Sequence, residues 1–264
     1  MLQHARLAIG VFDQRSQALS VIRHHSYHGL SGAGKRRGRA RLRRKFRAGI
    51  VWLSKLLSRQ GLYPFLEGEF SQIPEGARVL NVGAGGIIGE KLDTHAGIRS
   101  LDVLSIDIDS DRGPDIVGDI SDHKFGEQRF GAVVMSEVLE HIRTPEKAIQ
   151  AAHAVLEPGG RLILSTPFIF PIHDRPHDYY RFTRYGLEWL LRDFSEVTVK
   201  ERNSWAEAIN VLVVRLIKEK NSLFRLAAPL IVVLALAIAP VAMILGAIVK
   251  TDFITSGYVV RAVK

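Results

Sequence analysis

Two histidine-containing stretches in the second half of the chain carry residue types that can move protons or bind a metal ion. His141 lies in "EVLEHI", and His173 and His177 lie in "IFPIHDRPHDYYRFT", residues 169–183, where an aspartate follows each histidine. Imidazole and carboxylate groups act as general acids and bases, and they also ligate metals. We take His141, His173 and Asp178 as the candidate catalytic residues.

A metal site in the second stretch would need both histidines on one helical turn. His173 and His177 have the required spacing, but Pro176 lies between them and proline interrupts a helix. The sequence therefore predicts no metal site. Two interpretations stay open: the stretch supplies a catalytic base, or it forms a loop that covers a ligand through side chains bonded to one another.

A glycine-rich turn and two acids predict a ligand site elsewhere in the chain. The turn "VGAGG" contains Gly83 and Gly85, where the main chain can approach a ligand closely. Asp107 ends the next β-type run and could accept hydrogen bonds from ribose hydroxyls, and Asp119 ends a third run. A dinucleotide fingerprint would have glycine in place of Ile88. These residues alone leave open a dinucleotide, another nucleoside cofactor, or a turn without a ligand.

The elements that must position these residues alternate between strands and helices. Apolar β-type runs are predicted at 77–83, 100–109, 115–120, 131–135 and 159–167. The clearest helix is predicted from Pro145 to Leu156, with Thr144 as its N-cap. Two later runs, 195–202 and 257–263, alternate polar and apolar residues as strands near a sheet edge do. This order predicts a parallel sheet with helices on both faces.

Five motifs follow one another in a fixed order along this part of the chain. They are "RVLNVGAGG", "LSIDID", "IVGDI", "FGAVVMSEVLEHIRTPEKAI" and "VLEPGGRLILSTP". Together they resemble the class I S-adenosylmethionine-dependent methyltransferases over about residues 76–202 and the last strand at 257–263. The resemblance implies an α/β, Rossmann-like sheet of seven strands, mostly parallel, with helices on both faces and an antiparallel last strand.

The resemblance also implies the cofactor, S-adenosylmethionine, and the residues that bind it. The methionine part would lie against Asn81, Gly83, Ala84 and Gly85, the ribose against Asp107 and Ile108, the adenine against Asp119 and Ile120, and the sulfonium beside Ser136 and Glu137. The family usually has an acid at the position of Asn81. An amide accepts a hydrogen bond without charge assistance, so weaker cofactor binding is expected, and a non-catalytic membrane scaffold is one alternative.

The acceptor is expected to be a hydroxyl compound. A positioned base would then accelerate transfer by about 10²- to 10⁴-fold, which is the role considered for His141, His173 and Asp178. Similar "PHDYYRFT" loops occur in methyltransferases of bacterial glycan and lipid pathways. The resemblance therefore favours O-methylation of a small, sugar or lipid-linked acceptor.

An uncharged segment, Leu226 to Val249, interrupts the pattern between the last two predicted strands. Its 24 residues could span a hydrocarbon core about 30 Å thick, but both of its ends must return to one sheet. We expect residues 204–253 to be a membrane-associated helical insertion bent at Pro240 into a re-entrant hairpin. The alternatives are a pair of crossings formed with residues 205–220, and a buried helix pair or interface. A single straight crossing is disfavoured.

Positive charge is concentrated at the N-terminus. The chain has a net charge of +9, and residues 1–47 contain twelve Lys or Arg residues and one acid, Asp13. We expect residues 1–40 to be a flexible arm that, with the insertion, holds the methyltransferase domain (41–203 and 254–264) on the anionic cytoplasmic face of a membrane. The alternatives are a soluble cytoplasmic protein, an arm without a partner, and an RNA-modifying enzyme whose arm binds nucleic acid.

Overall fold

The computed structural model describes residue 49, residues 54–55 and residues 57–264. The basic arm predicted for residues 1–40 lies outside these residues.

Seven strands form a single sheet in the order β3-β2-β1-β4-β5-β7-β6. They are β1 (Arg78–Val82), β2 (Asp102–Asp107), β3 (Ile116–Val117), β4 (Phe130–Ser136), β5 (Leu156–Pro167), β6 (Glu196–Glu201) and β7 (Gly257–Val263). Strands β1 to β5 pair in parallel, and β7 pairs antiparallel with both β5 and β6. The predicted seven-stranded sheet is confirmed. The two strands expected near a sheet edge are there: β6 is the edge strand and β7 is next to it.

Six helices with bounds inside the described residues accompany the sheet, and Ser54, Lys55, Leu57 and Ser58, before the first of them, are also helical. The six are α1 (Leu62–Phe70), α2 (Gly86–Arg99), α3 (Pro145–Val155), α4 (Arg184–Leu190), α5 (Trp205–Arg215) and α6 (Ser222–Ile248). The helix predicted from Pro145 begins there, with Thr144 at the N-cap position, although the Thr144 side chain forms no capping hydrogen bond. It ends one residue earlier than expected because Leu156 already belongs to β5.

Strand residues alternate between two helical layers. Leu80 and Val133 pack in the cluster that includes residues of α3 and α4, whereas Val79 and Ala132 pack in the cluster that includes residues of α1 and α2. Since successive side chains of a strand point to opposite faces, both faces need apolar residues and the central strands are apolar throughout. The polar residues that follow β1, β2 and β4 are thereby gathered at one edge of the sheet.

The hydrophobic insertion forms two helices, and the longer one is continuous. A short 3₁₀ turn, Leu216–Lys218, connects α5 to α6, and α6 includes both Pro229 and Pro240 within its 27 residues. The predicted re-entrant hairpin at Pro240 is therefore wrong. At 1.5 Å per residue, α6 is about 40 Å long.

Contacts with α5 on both sides of Pro240 explain why the helix continues. The Asn210 side-chain amide donates to the carbonyl of Ala235 at 2.9 Å, and the Trp205 indole donates to the carbonyl of Val249 at 3.0 Å. The two helices therefore run antiparallel, and α5 holds both halves of α6 in line. These contacts offset the hydrogen bond that a mid-helix proline removes.

Most apolar side chains of α6 face away from the domain. Only 17 % of its most apolar window is buried, and Leu226, Leu230 and Ile248 are between 70 and 81 % exposed. Within the described residues this is the one helix long and apolar enough to cross a membrane by length and composition. The returning helix α5 has 11 residues and ends at Arg215, so it is too short for the second crossing of a pair.

A buried ion pair connects the end of β6 to the end of β4. The Arg202 side chain is 1 % exposed and its guanidinium donates to both carboxylate oxygens of Glu137. Two glycines leave room for it: a Cβ on Gly61 would lie 1.5 Å from the Arg202 carbonyl oxygen, and one on Gly257 would lie 3.0 Å from the guanidinium carbon. The pair thus fixes the chain leaving β6 and entering β7 against the centre of the sheet.

Replacing Arg202 by Met should lower the free energy of unfolding by about 3–5 kcal/mol, because it leaves the Glu137 carboxylate buried without its partner. The measurement is urea denaturation followed by circular dichroism. The control is Arg78→Met, which breaks the exposed pair with Asp102 and should cost at most about 1 kcal/mol. Adding Glu137→Gln to Arg202→Met should recover part of the loss. Equal small losses in Arg202→Met and the control would contradict this account.

Candidate active site

A cleft of about 510 Å³ opens where β1 and β4 end. Eight of the residues proposed from the sequence line it: Asn81, Gly83, Ala84, Gly85, Ser136, Glu137, His141 and His173. The tertiary structure thus brings the glycine turn and two histidines of the candidate catalytic set to one cavity. Asn81 is buried within β1, with 5 % of its surface exposed.

The turn after β1 needs glycine for two reasons. Gly83 has φ of +93°, in the left-handed region, and a Cβ there would lie 2.6 Å from Cγ2 of Val138. The next amide, of Ala84, donates to Oδ2 of Asp107 at 2.8 Å. This bond connects the turn to the end of β2. The main chain of the turn is thereby held in place at the cleft.

Four predicted cofactor residues lie outside the lining of the cleft: Asp107, Ile108, Asp119 and Ile120. Asp107 contacts the glycine turn through its bond to Ala84. Asp119 accepts a hydrogen bond from the amide of Ser121 at 2.8 Å, Ile108 is exposed, and Ile120 lies in the core. The structure brings Asp107 to the site but leaves Asp119 and Ile120 beside it.

A chain of hydrogen bonds forms the floor of the cleft. The Ser165 hydroxyl donates to Oε1 of Glu137 at 3.0 Å, so the Ser136 hydroxyl donates to Ser165 at 2.8 Å. Glu137 has φ of +58°, an uncommon conformation for a residue with a Cβ. Burial acts to raise the pKa of Glu137, but the charges of Arg202 and Arg59 outweigh it and hold the pKa below its ordinary value. The floor therefore carries a fixed carboxylate.

His141 has one ring nitrogen committed to a backbone carbonyl. Its Nδ1 bonds to the carbonyl oxygen of His177, which can only accept, so Nδ1 carries the hydrogen. In the neutral ring Nε2 is then unprotonated, and it lies 3.6 Å from Oε1 of Glu140 and 3.9 Å from Oδ2 of Asp174. Nε2 of His141 is thus free of hydrogen and can accept a hydrogen bond from a ligand in the cleft.

His173 lies between two carboxylates and packs edge-on against His141, with ring centroids 4.9 Å apart. Its Nε2 is 3.7 Å from Oε1 of Glu140 and its Nδ1 is 3.3 Å from Oδ2 of Asp178. Burial acts to lower the pKa of His173, but the nearby Glu140 carboxylate and the charges of Asp178 and Asp174 raise it above its ordinary value. The carboxylates around His173 therefore favour its cationic form.

Asp178 holds the loop together rather than lining the cleft. Its side chain is 2 % exposed, accepts from both Nη atoms of Arg181 at 2.6 and 2.8 Å, and accepts from the amide of His173 at 2.9 Å. Burial acts to raise the pKa of Asp178, but its bonds to Arg181 and His173 lower it to about 2. This part of the site therefore matches the second interpretation of the sequence, a loop whose side chains bond to one another.

Sequence reasoning missed Glu140, the central acid of the site. It is fully buried. Burial and the charge of Glu137 raise the pKa of Glu140, and the nearby His173 opposes them only in part. Ligand atoms of Glu140, His141 and His173 lie within 4.8 Å of one another, a donor set different from the histidine pair considered in the sequence. The position of Glu140 beside His141, in the motif after β4, is the sequence signal that could have identified this acid.

A family model described as a methyltransferase domain matches residues 53–223. The chain belongs to this family. The match covers more than half of the chain and includes every residue of the cleft named above. The predicted family and its cofactor, S-adenosylmethionine, are confirmed.

Two curated relatives of this methyltransferase chain are each named ubiquinone biosynthesis O-methyltransferase. The protein from Alkalilimnicola ehrlichii is 28 % identical over 149 residues, which cover 51 % of this chain and 56 % of the relative. The protein from Xanthomonas axonopodis pv. citri is 34 % identical over 107 residues, which cover 35 % of this chain and 44 % of the relative. The chain thus spans about half the length of the curated relatives it matches.

Solved structures share the fold at low sequence identity. A Haemonchus contortus phosphoethanolamine N-methyltransferase 2 in complex with S-adenosyl-L-methionine gives a TM-score of 0.54 at 17 % identity, over 82 % of this chain and 57 % of that one. An Archaeoglobus fulgidus SAM-dependent methyltransferase gives 0.52 at 14 % identity, over 78 % and 95 %. A [4+2]-cyclase, SpnF, gives 0.50 at 18 % identity, over 75 % and 79 %. The fold therefore does not define the reaction.

The cleft of this methyltransferase fits the cofactor at the turn after β1. Gly83 has no side chain, so its main chain can approach a ligand closely on the wall of the cleft that Val138 also lines. The residues that would hold the methionine part of S-adenosylmethionine are therefore Asn81 and the turn from Gly83 to Gly85.

Gly83→Ala should weaken S-adenosylmethionine binding at least tenfold, because the turn requires a positive φ that strains alanine and because the new Cβ would overlap Val138. The measurement is the dissociation constant by titration calorimetry. The control is Gly89→Ala in helix α2, where a Cβ would meet no atom within 4 Å and the constant should be unchanged. Adding Val138→Ala to Gly83→Ala removes the overlap but not the strain, so it should restore part of the affinity. Unaltered binding by Gly83→Ala would exclude this turn as the cofactor site.

Proposed function

We propose that this chain transfers a methyl group from S-adenosylmethionine to a hydroxyl oxygen of a small or lipid-linked acceptor at a membrane surface. The observation that carries the proposal is that the glycine turn and Nε2 of His141 lie in one cleft, whose wall also includes Arg215 and Lys218 of the insertion. One cavity can therefore hold a cofactor, a base and an acceptor together.

S-adenosylmethionine supplies an electrophilic methyl group on a sulfonium. The acceptor oxygen forms a bond to the methyl carbon as the carbon–sulfur bond breaks and its electron pair goes to sulfur. The hydroxyl proton passes to Nε2 of His141, whose Nδ1 hydrogen is held by the carbonyl of His177. His173 stays paired with Glu140 and Asp178 and fixes the position of the His141 ring.

Oxygen is the atom that we propose to be methylated. Both curated relatives described above are named O-methyltransferases, which supports this choice. A base beside the acceptor also suits a hydroxyl, since a hydroxyl oxygen becomes a better nucleophile as its proton is removed.

The proposed cofactor roles follow the resemblance for the residues outside the cleft. Asp107 and Ile108 would contact the ribose, and Asp119 and Ile120 the adenine. The bond from the Ala84 amide already orients the Asp107 carboxylate beside the glycine turn. Asn81 would accept from the methionine ammonium through its amide oxygen.

The membrane part of the proposal rests on the surface of α6. Its exposed residues include Leu223, Leu226, Leu230, Val241, Ile244 and Ile248. Cations lie at both ends of the helix, with Lys220 and Arg225 at the start and Lys250 after the end. Because both ends return to the sheet, we propose that α6 lies in the plane of the membrane interface, with its apolar face in the lipid.

His141→Gln should lower kcat by about 10²- to 10⁴-fold while S-adenosylmethionine binding stays within about twofold, because the substitution removes the proton acceptor but not the glycine turn. Methyl transfer is measured from labelled S-adenosylmethionine to a membrane lipid extract, with and without chelator, since Glu140, His141 and His173 are also a possible ligand set. The control is His177→Gln, which keeps the backbone carbonyl and should retain activity. Cofactor binding by the wild type without any transfer would favour the non-catalytic scaffold.

Flotation with vesicles of phosphatidylethanolamine and phosphatidylglycerol should recover the full chain in the lipid fraction. Substituting Leu226, Leu230 and Ile244 by Asn should lower the partition coefficient at least tenfold, because each loses apolar burial worth about 1.5–3 kcal/mol. The control is Trp189→Asn on α4, an equally exposed apolar residue away from α6, which should float like the wild type. A wild-type chain that stays in the aqueous fraction would show that α6 is not a membrane element.

A further inference from the structure

One side of the cleft is a group of four cations, here called the cationic wall: Lys55, Arg59, Arg215 and Lys218. Arg215 ends α5 and Lys218 ends the 3₁₀ turn that leads into α6, so two of the four belong to the hydrophobic insertion. Among the residues that the structure describes, none of the four forms a salt bridge. This separates the wall from the other arginines near the site, such as Arg202 and Arg181, each of which is paired with a carboxylate.

The cationic wall brings like charges close together in partly buried positions. Burial and the charge of Arg59 lower the pKa of Arg215 to about 10, and burial, Arg215 and Lys55 lower the pKa of Lys218. The Nε atoms of Arg59 and Arg215 are buried without a hydrogen-bond partner among the described residues. Like charges and unsatisfied donors gathered in a cleft are costly, and an anionic ligand would relieve both.

Arg215 packs against the aromatic ring that lies next to His173. Its guanidinium lies 4.5 Å from the centroid of the Phe170 ring, and Phe170 in turn packs against His173 with centroids 5.4 Å apart. The wall and the histidines are thereby connected through one aromatic ring. An acceptor bound to the wall would present neighbouring atoms to His141.

The cofactor does not neutralise the wall. S-adenosylmethionine has one carboxylate against an ammonium and a sulfonium, so it adds positive charge overall. The Glu137 carboxylate is already bound by Arg202, and the two other acids that line the cleft, Asp174 and Glu219, are exposed to solvent. The remaining negative charge must come from the acceptor.

We infer that the acceptor carries a phosphate or pyrophosphate group, which the cationic wall binds through Arg215, Lys218, Arg59 and Lys55. This inference rests on the proposed function and names its substrate class. Guanidinium groups match phosphate oxygens in pairs, and the lysines add point charges. Because Arg215 and Lys218 lie within seven residues of the start of α6, a lipid attached to that phosphate would lie along the apolar helix.

The test is calorimetric titration of the full chain with inorganic pyrophosphate, with and without saturating S-adenosylmethionine. The wild type should bind pyrophosphate, and the affinity should fall as salt concentration rises. Arg215→Gln should weaken binding at least tenfold, and Lys218→Gln, whose side chain is more accessible than that of Arg215, about three- to tenfold. Lys147→Gln, an exposed cation on α3, is the control and should bind like the wild type.

The outcomes separate this inference from the proposed function. A wild type that binds S-adenosylmethionine but not pyrophosphate, or equal pyrophosphate affinity in all variants, overturns the phosphate site alone. Failure to bind S-adenosylmethionine overturns the proposed function, whereas the pyrophosphate titration without cofactor still reports on the wall.

Competition then identifies the source of the phosphate. Displacement of pyrophosphate by glucose 1-phosphate supports a soluble phosphorylated acceptor. Displacement by phosphatidylcholine vesicles that contain phosphatidic acid, and not by phosphatidylcholine alone, supports a lipid-linked one. Displacement by neither phosphate ester overturns the inference.

Discussion

The buried ion pair between Glu137 and Arg202 is the constraint on which the site and the insertion both depend. Glu137 follows β4 at the floor of the cleft, and Arg202 follows β6 at the start of the segment that leads to α5. A charge pair that is removed from water persists only if its geometry is fixed by additional hydrogen bonds and close packing. Ser165 supplies such a bond, and Gly61 and Gly257 supply the space.

The insertion therefore extends the site instead of standing apart from it. Because Arg202 fixes the start of the insertion beside Glu137, the end of α5 reaches the cleft with Arg215. The antiparallel pair of α5 and α6 then presents an apolar outer surface from the same element that provides cations to the cavity. A polar site next to an apolar helix is an arrangement suited to an amphiphilic acceptor.

Most of the fold was predictable from local sequence. The alternation of β-type runs with helical stretches, and the glycine turn after the first strand, correctly predicted a mostly parallel seven-stranded sheet, because these signals depend on neighbouring residues. The prediction for Pro240 was wrong because proline is a local signal for a bend, whereas Asn210 and Trp205 hold α6 straight from another helix. Local rules cannot include partners that are far away in the chain.

The sequence by itself determined the family, the cofactor and the turn at Gly83, since ordered motifs and a required positive φ are properties of short segments. Only the tertiary structure decided which side chains share the cleft. It placed Glu140 between two histidines, made Asp178 a residue that holds the loop together, and gathered four cations from two distant segments. The reason is physical: charge pairing and burial depend on distances through space, and residues far apart in the chain set those distances only when the sheet has formed.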